Sequence, residues 1–117
     1  MMPRVDSVFS DPVRPQRVAT VVIGGGIIGT STALALAKKG VSVALCEKGE
    51  VGAEQSGRNW GWTRIQNRDP REIPLAIEAL RLWRGMNAEI DGETGFRQPG
   101  VMYLAENAKD VARFEAW

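Results

Sequence analysis

Three observations in this sequence predict an α/β fold on a parallel sheet. A β-branched run, Arg17–Ile23, ends in a cluster of glycines. An Ala- and Leu-rich stretch begins at Ile27, and a second apolar run, Val41–Cys46, follows it. Strand, helix and strand within about thirty residues form a βαβ unit, whose two strands run parallel.

Each element has a local reason. Residues 1–16 read as a flexible tail, because Pro3, Pro12 and Pro15 oppose both helix and central strand. Arg17–Ile23 is apolar on alternate and intervening positions alike, which suits a parallel strand buried on both faces. The helix spans Ile27–Lys39, with Lys38 and Lys39 in its last turn and Gly40 where a C-terminal cap belongs. Val41–Cys46 is the second strand, and its terminal Cys46 reads as a buried small hydrophobe.

Lys48–Asp69 is glycine-rich, polar and aperiodic, a long connection of the kind that carries function. Arg71–Ile90 reads as a helix with an apolar stripe at Ile73, Ile77, Leu80, Trp83 and Met86 or Asn87, and with Arg81 and Arg84 turned away. Asp91-Gly92-Glu93 ends it. Phe96–Ala105 is expected as a strand or hairpin arm, turned or kinked at Pro99-Gly100. Asn107–Trp117 reads as a further helix. Its pattern of Val111, Phe114 and Trp117 runs to the last residue, so the chain reads as the N-terminal part of a longer protein.

Composition excludes several classes. Of 117 residues, 44% are apolar and 25% charged, which places the chain among globular proteins. The net charge of +1 gives no nucleic-acid footprint. One cysteine and no histidine rule out an internal disulfide and argue against a zinc site, and cytoplasmic chemistry is the simple expectation. The longest apolar run, Val18–Ile28, contains three glycines and is too short to span a bilayer, so no membrane span is expected. The N-terminus lacks the apolar core of a signal peptide.

The motif that carries chemistry is Gly24-Gly25-Gly26-Ile27-Ile28-Gly29, a G-x-G-x-x-G sequence between strand and helix. Gly24 permits the tight turn, Gly26 lets a pyrophosphate approach the backbone, and Gly29 lets the helix pack close to the sheet. The phosphates then sit on the free N–H groups of the first helical turn, around Ile27 and Ile28, at the positive end of the helix dipole. Ala33 adds a small residue one turn on. Glu47 follows the second strand about twenty residues past the glycines, where a carboxylate accepts hydrogen bonds from ribose hydroxyls and repels a 2′-phosphate. Together these point to a Rossmann-like dinucleotide-binding unit.

These residues also carry a family resemblance. VVIGGGIIGTSTALALAKKGVSVALCEKG, Val21–Gly49, resembles the N-terminus of the glycine/D-amino-acid oxidase family of flavoproteins. Its Glu47-Lys48-Gly49 ending is similar to the FAD-binding versions of this unit. Gly52–Gly61 resembles the family's second flavin-contacting loop, where a Ser and an Asn-x-Gly recur. Phe96–Ala105 is similar to its first substrate-domain strands.

The resemblance implies a doubly wound, parallel FAD-binding sheet that leads into an antiparallel substrate domain. Residues 17–94 would hold the FAD-binding βαβ unit, flavin loop and following helix, and residues 95–117 would begin the substrate domain. It implies FAD as cofactor, held by Gly24, Gly26, Ile27, Ile28, Gly29, Glu47, Lys48, Gln55, Ser56, Arg58, Asn59 and Gly61. It implies oxidation of the C–N bond of an amino acid or N-alkyl amino acid by hydride transfer to the flavin, with oxygen or an electron-transfer acceptor as second partner. Trp60 departs from the pattern, since many relatives have a small residue there. The family's catalytic positions lie mostly beyond residue 117 and are not carried over.

Some residues keep two readings. Gln55–Gly61 taken alone is a polar turn. Arg58, Arg64 and Arg68 form an anion site if gathered and solvated loop cations if not. Trp60 and Trp62 either shield a flavin or pack on a helix. Two other functions also stay open. One is a different FAD enzyme with the same N-terminal unit, such as a glycerol-phosphate dehydrogenase or a tRNA-modifying flavoprotein. The other is an inactive nucleotide-binding fragment.

Overall fold

A computed structural model of the chain describes residues 5–117. The chain falls into two compact units, one ending at Gly61 and the other running from Trp62 to Trp117. Of the expected N-terminal tail, residues 1–4, with Pro3, lie outside the described residues. Residues 5–16 carry neither helix nor strand.

The first unit is the expected βαβ unit. Strand β1 is Thr20–Ile23, helix α1 is Ile27–Lys38 and strand β2 is Val43–Cys46. The two strands pair in parallel, with Thr20 opposite Val43 and Ile23 opposite Cys46. Both strands start later than the sequence suggests. The Val41 amide bonds back to the Leu36 carbonyl at 3.1 Å and so finishes α1 instead of starting β2. The ladder therefore opens only at Thr20, just after the Ala19 amide donates to Ser42 Oγ at 2.9 Å. Gly40, at φ +74°, lets the chain leave α1 in the left-handed conformation.

Helix α1 rests on one face of this sheet. Gly29, Thr30, Ala33 and Leu36 are the less exposed positions, at helical spacing. A Cβ on Gly29 would lie 3.4 Å from the Val22 side chain, so α1 covers the face that carries Val22. Side chains alternate along a strand, so Val21, Ile23 and Cys46 occupy the opposite face. Here two expectations are corrected. The strands were expected to be buried on both faces, yet Val21 is 56% and Ile23 88% exposed. Cys46 was expected to be buried and is exposed, because it stands on this same face away from α1.

The second unit is built on helix α2, Ile73–Ile90, entered through a 3₁₀ turn at Pro70–Glu72. Asp69 caps that turn by accepting the Arg71 amide at 2.9 Å. The inward seam runs Ile73, Ala76, Leu80, Trp83 and Met86–Asn87, and Leu80 is buried. Ile77 is corrected: it flanks the seam and is half exposed. Asp91, in the left-handed region at φ +50°, ends the helix. Asn87 Oδ1 then gathers the Thr94 amide (2.9 Å) and hydroxyl (2.7 Å), and the Phe96 ring stacks on Trp83 at 5.8 Å.

Phe96–Ala105 is not a strand among the described residues, contrary to expectation. A strand is defined by its partner's hydrogen bonds, and the sheet comprises only β1 and β2. Gly100, at φ +92°, accounts for the expected kink. Helix α3, Ala108–Glu115, starts at Asn107, whose side chain accepts the Asp110 amide at 3.0 Å.

Candidate dinucleotide site

The glycine turn between β1 and α1 has a geometry that its residue types enforce. Gly24 sits at φ +105°, a conformation L side chains rarely adopt, and its amide bonds to the Cys46 carbonyl at 2.8 Å. A Cβ on Gly29 would lie 1.9 Å from the Gly24 carbonyl oxygen, so the turn closes only with glycine there. Gly26 is the N-cap of α1 and brings no side chain to its first-turn amides. A Cβ on Gly26 would fill the space beside Ser56 Oγ, at 3.0 Å. Ile27 and Ile28 follow with their side chains exposed.

Two further segments close around this turn. From the end of β2, Glu47 accepts the Gly25 amide on Oε2 at 2.6 Å and the Gly49 amide on Oε1 at 2.9 Å. The Gly25 bond first, then that of Gly49, holds its carboxyl below the usual carboxylate range. A carboxylate has about four lone-pair sites, so acceptor capacity remains for a hydroxyl. Lys48 beside it is exposed.

The second segment is the loop with a 3₁₀ turn at Gln55–Gly57. The Gly52 amide donates to the Gly25 carbonyl at 2.9 Å, and the Ile27 amide donates to Ser56 Oγ at 2.8 Å. A loop residue thus caps α1, satisfying a donor that Gly26 cannot. Further along, Asn59 bonds the Ser56 carbonyl through its amide nitrogen and the Gly61 amide through its oxygen, with Gly61 at φ +66°. This pair of bonds explains the Asn-x-Gly spacing.

The structure therefore brings Gly24, Gly26, Ile27, Ile28, Gly29, Glu47 and Ser56 together around one helix N-terminus, with Gln55, Asn59 and Gly61 in the adjoining loop. Arg58 turns to Glu54 at 2.8 Å. Arg64 and Arg68 belong to the second unit. Trp60 is 91% exposed. Sequence reasoning gave no individual role to Gly25, Gly52 and Gly57, although they lie in the motif and the loop it singled out. A Cβ on Gly57 would lie 2.5 Å from the Gly52 carbonyl, so the Gly52–Gly57 pair was itself the legible signal. Among the described residues no cluster of potential ligands suits a metal, and no helix is long and apolar enough to cross a membrane.

The arrangement can hold a phosphate-bearing nucleotide: an amide-rich helix end without a side chain in the way, a hydroxyl beside it and a carboxylate past the second strand. Residues 19–117 match the family described as FAD dependent oxidoreductase. The mitochondrial dimethylglycine dehydrogenase of Rattus norvegicus is 33% identical over 107 residues, 91% of this chain and 12% of that protein. The glycine oxidase of Pseudomonas putida is 38% identical over 81 residues, covering 69% of this chain and 22% of that protein. The solved L-amino acid deaminase of Proteus myxofaciens, in complex with anthranilate, superposes with a TM-score of 0.89 at 35% identity, covering all of this chain and 27% of the other. This chain thus spans only about an eighth of the length of the dehydrogenase it matches.

Proposed function

The chain belongs to the FAD dependent oxidoreductase family, and from that premise we propose that it forms the nucleotide-holding part of an enzyme oxidising the C–N bond of an amino acid or N-alkyl amino acid. The observation that carries the reading is the helix N-terminus of α1, opened by Gly26 and capped from the second loop by Ser56. The names of its relatives, a dimethylglycine dehydrogenase, a glycine oxidase and an L-amino acid deaminase, support the substrate class.

In this reading Gly24, Gly26, Ile27, Ile28 and Gly29 hold the pyrophosphate against the helix dipole. Glu47, kept ionised by its backbone donors, accepts from the adenosine ribose, with Lys48 beside it. Gln55, Ser56, Arg58, Asn59 and Gly61 form the flavin-side loop, in which Asn59 fixes the backbone. When bound, FAD supplies the two-electron acceptor, and these residues position it. Residues 17–94 serve the cofactor and residues 95–117 begin the substrate domain. Oxygen or an electron-transfer acceptor is the second partner, no nucleic acid takes part, and the location is cytoplasmic.

The test is to denature the purified holoprotein and identify the released cofactor by chromatography, then follow flavin bleaching with amino acids under anaerobic conditions. FAD with bleaching by an amino acid or N-methyl amino acid is expected. A nicotinamide nucleotide without flavin would overturn the cofactor role. Flavin that no amine bleaches would overturn the substrate class.

A further inference from the structure

The segment ahead of β1 meets the rest of the first unit unevenly. Every residue from Asp6 to Arg17 is exposed, including the apolar Val8, Phe9 and Val13, with Phe9 at 99%. Val5 is half-buried. Its Cγ1 lies 3.9 Å from the point where a Cβ on Gly57 would stand, an ordinary van der Waals separation. The segment is thus tied down at β1 and again at Val5, with an exposed stretch between.

The place where Val5 rests gives the contact its meaning. Gly57 closes the 3₁₀ turn Gln55–Gly57, and its amide bonds to the Glu54 carbonyl at 3.0 Å. The same absent Cβ would lie 2.5 Å from the Gly52 carbonyl oxygen, so backbone packs on backbone here and Val5 covers the bare spot beside it. The neighbouring residue in this turn is Ser56, whose Oγ accepts the Ile27 amide at 2.8 Å. The Gly57 and Arg58 amides bond to carbonyls within the loop itself. Val5 adds an apolar contact from outside it, which limits how far the turn can lift away.

We propose that Val5 is a positioning residue for the flavin-side loop: seated on Gly57, it holds the turn closed and keeps the Ser56 hydroxyl at the N-terminus of α1. This rests on the reading of that helix end as the phosphate site, and Val5 itself touches no cofactor.

The test uses the purified holoprotein stripped of flavin and titrated with FAD. Val5→Ser should weaken FAD by about fivefold, the value of a partly buried apolar side chain, and Val5→Ile should restore it. Phe9→Ser should change nothing, because that ring is exposed. Val5→Ser added to Ser56→Ala should cost no more than Ser56→Ala alone, since Val5 acts through the hydroxyl. Unchanged FAD affinity in Val5→Ser, or a fully additive loss in the double variant, would overturn the proposal. Hydrogen exchange of the Ile27 amide in the flavin-free protein decides on Val5 without any cofactor. Val5→Ser should speed it by about tenfold, because the bond to Ser56 opens more often. Equal exchange rates would overturn the role of Val5, whereas failure of the unaltered protein to take up FAD would overturn the phosphate-site reading instead.

Discussion

Ser56 Oγ lies 2.8 Å from the Ile27 amide nitrogen and caps helix α1 from a loop 29 residues downstream. This one bond ties the second loop to the glycine turn. It also leaves the hydroxyl proton of Ser56 free to donate to a phosphate oxygen. Ser56→Ala should therefore cost about 1 kcal/mol of stability, the usual value of an N-cap. It should also weaken FAD by about tenfold, while Ser56→Thr preserves both. Thermal melts and flavin titration measure the two effects. Unchanged flavin affinity in the Ala variant would limit Ser56 to capping.

Gly26 and Gly29 should fail in different ways. A Cβ at Gly26 would meet only Ser56 Oγ, at 3.0 Å, so Gly26→Val should keep secondary structure but lose flavin. A Cβ at Gly29 would lie 1.9 Å from the Gly24 carbonyl, so Gly29→Ala should destabilise the fold itself by about 3 kcal/mol. Circular dichroism together with flavin content per chain separates the two. Normal flavin content in Gly26→Val would show that this glycine does not line the phosphate site.

Glu47 predicts a pH dependence. The Gly25 and Gly49 amides lower its folded-state pKa, so its contribution is complete above the unfolded value, about 4.3, and is lost as pH falls through the folded value. The unaltered chain should thus lose stability more steeply below about pH 4.3 than Glu47→Gln, and be the more stable of the two at neutral pH. Denaturant unfolding across that range is the measurement. Parallel curves would show that the two amides do not favour the charged carboxylate.

Cys46, the single thiol, should react in the 117-residue chain with a chromogenic thiol reagent without denaturant. Its rate should lie within about tenfold of a small-molecule thiol, because the side chain is exposed. Reaction only after unfolding would place Cys46 in a buried setting.

Much of the candidate site's backbone geometry was legible because its parts are local. Gly24, Gly26 and Gly29 are demanded by a turn whose atoms lie within six residues of one another. The ends of α1 and α2 were legible from Gly40 and Asp91, both of which adopt positive φ. The errors lie where a partner decides. Phe96–Ala105 has strand composition but no partner strand among the described residues, and Ile77 has helical spacing but stands beside the seam.

The sequence by itself determined the βαβ unit, its glycine turn and the acidic residue past β2, because propensity, spacing and steric need act over a few bonds. Only the tertiary structure decided that Ser56 caps α1, that Glu47 bonds the Gly25 amide across 22 residues, and that Cys46 lies on the sheet face away from the helix. Those facts depend on how distant segments meet in space. A hydroxyl, a carboxylate or a thiol looks the same in the sequence whichever neighbour it finally touches.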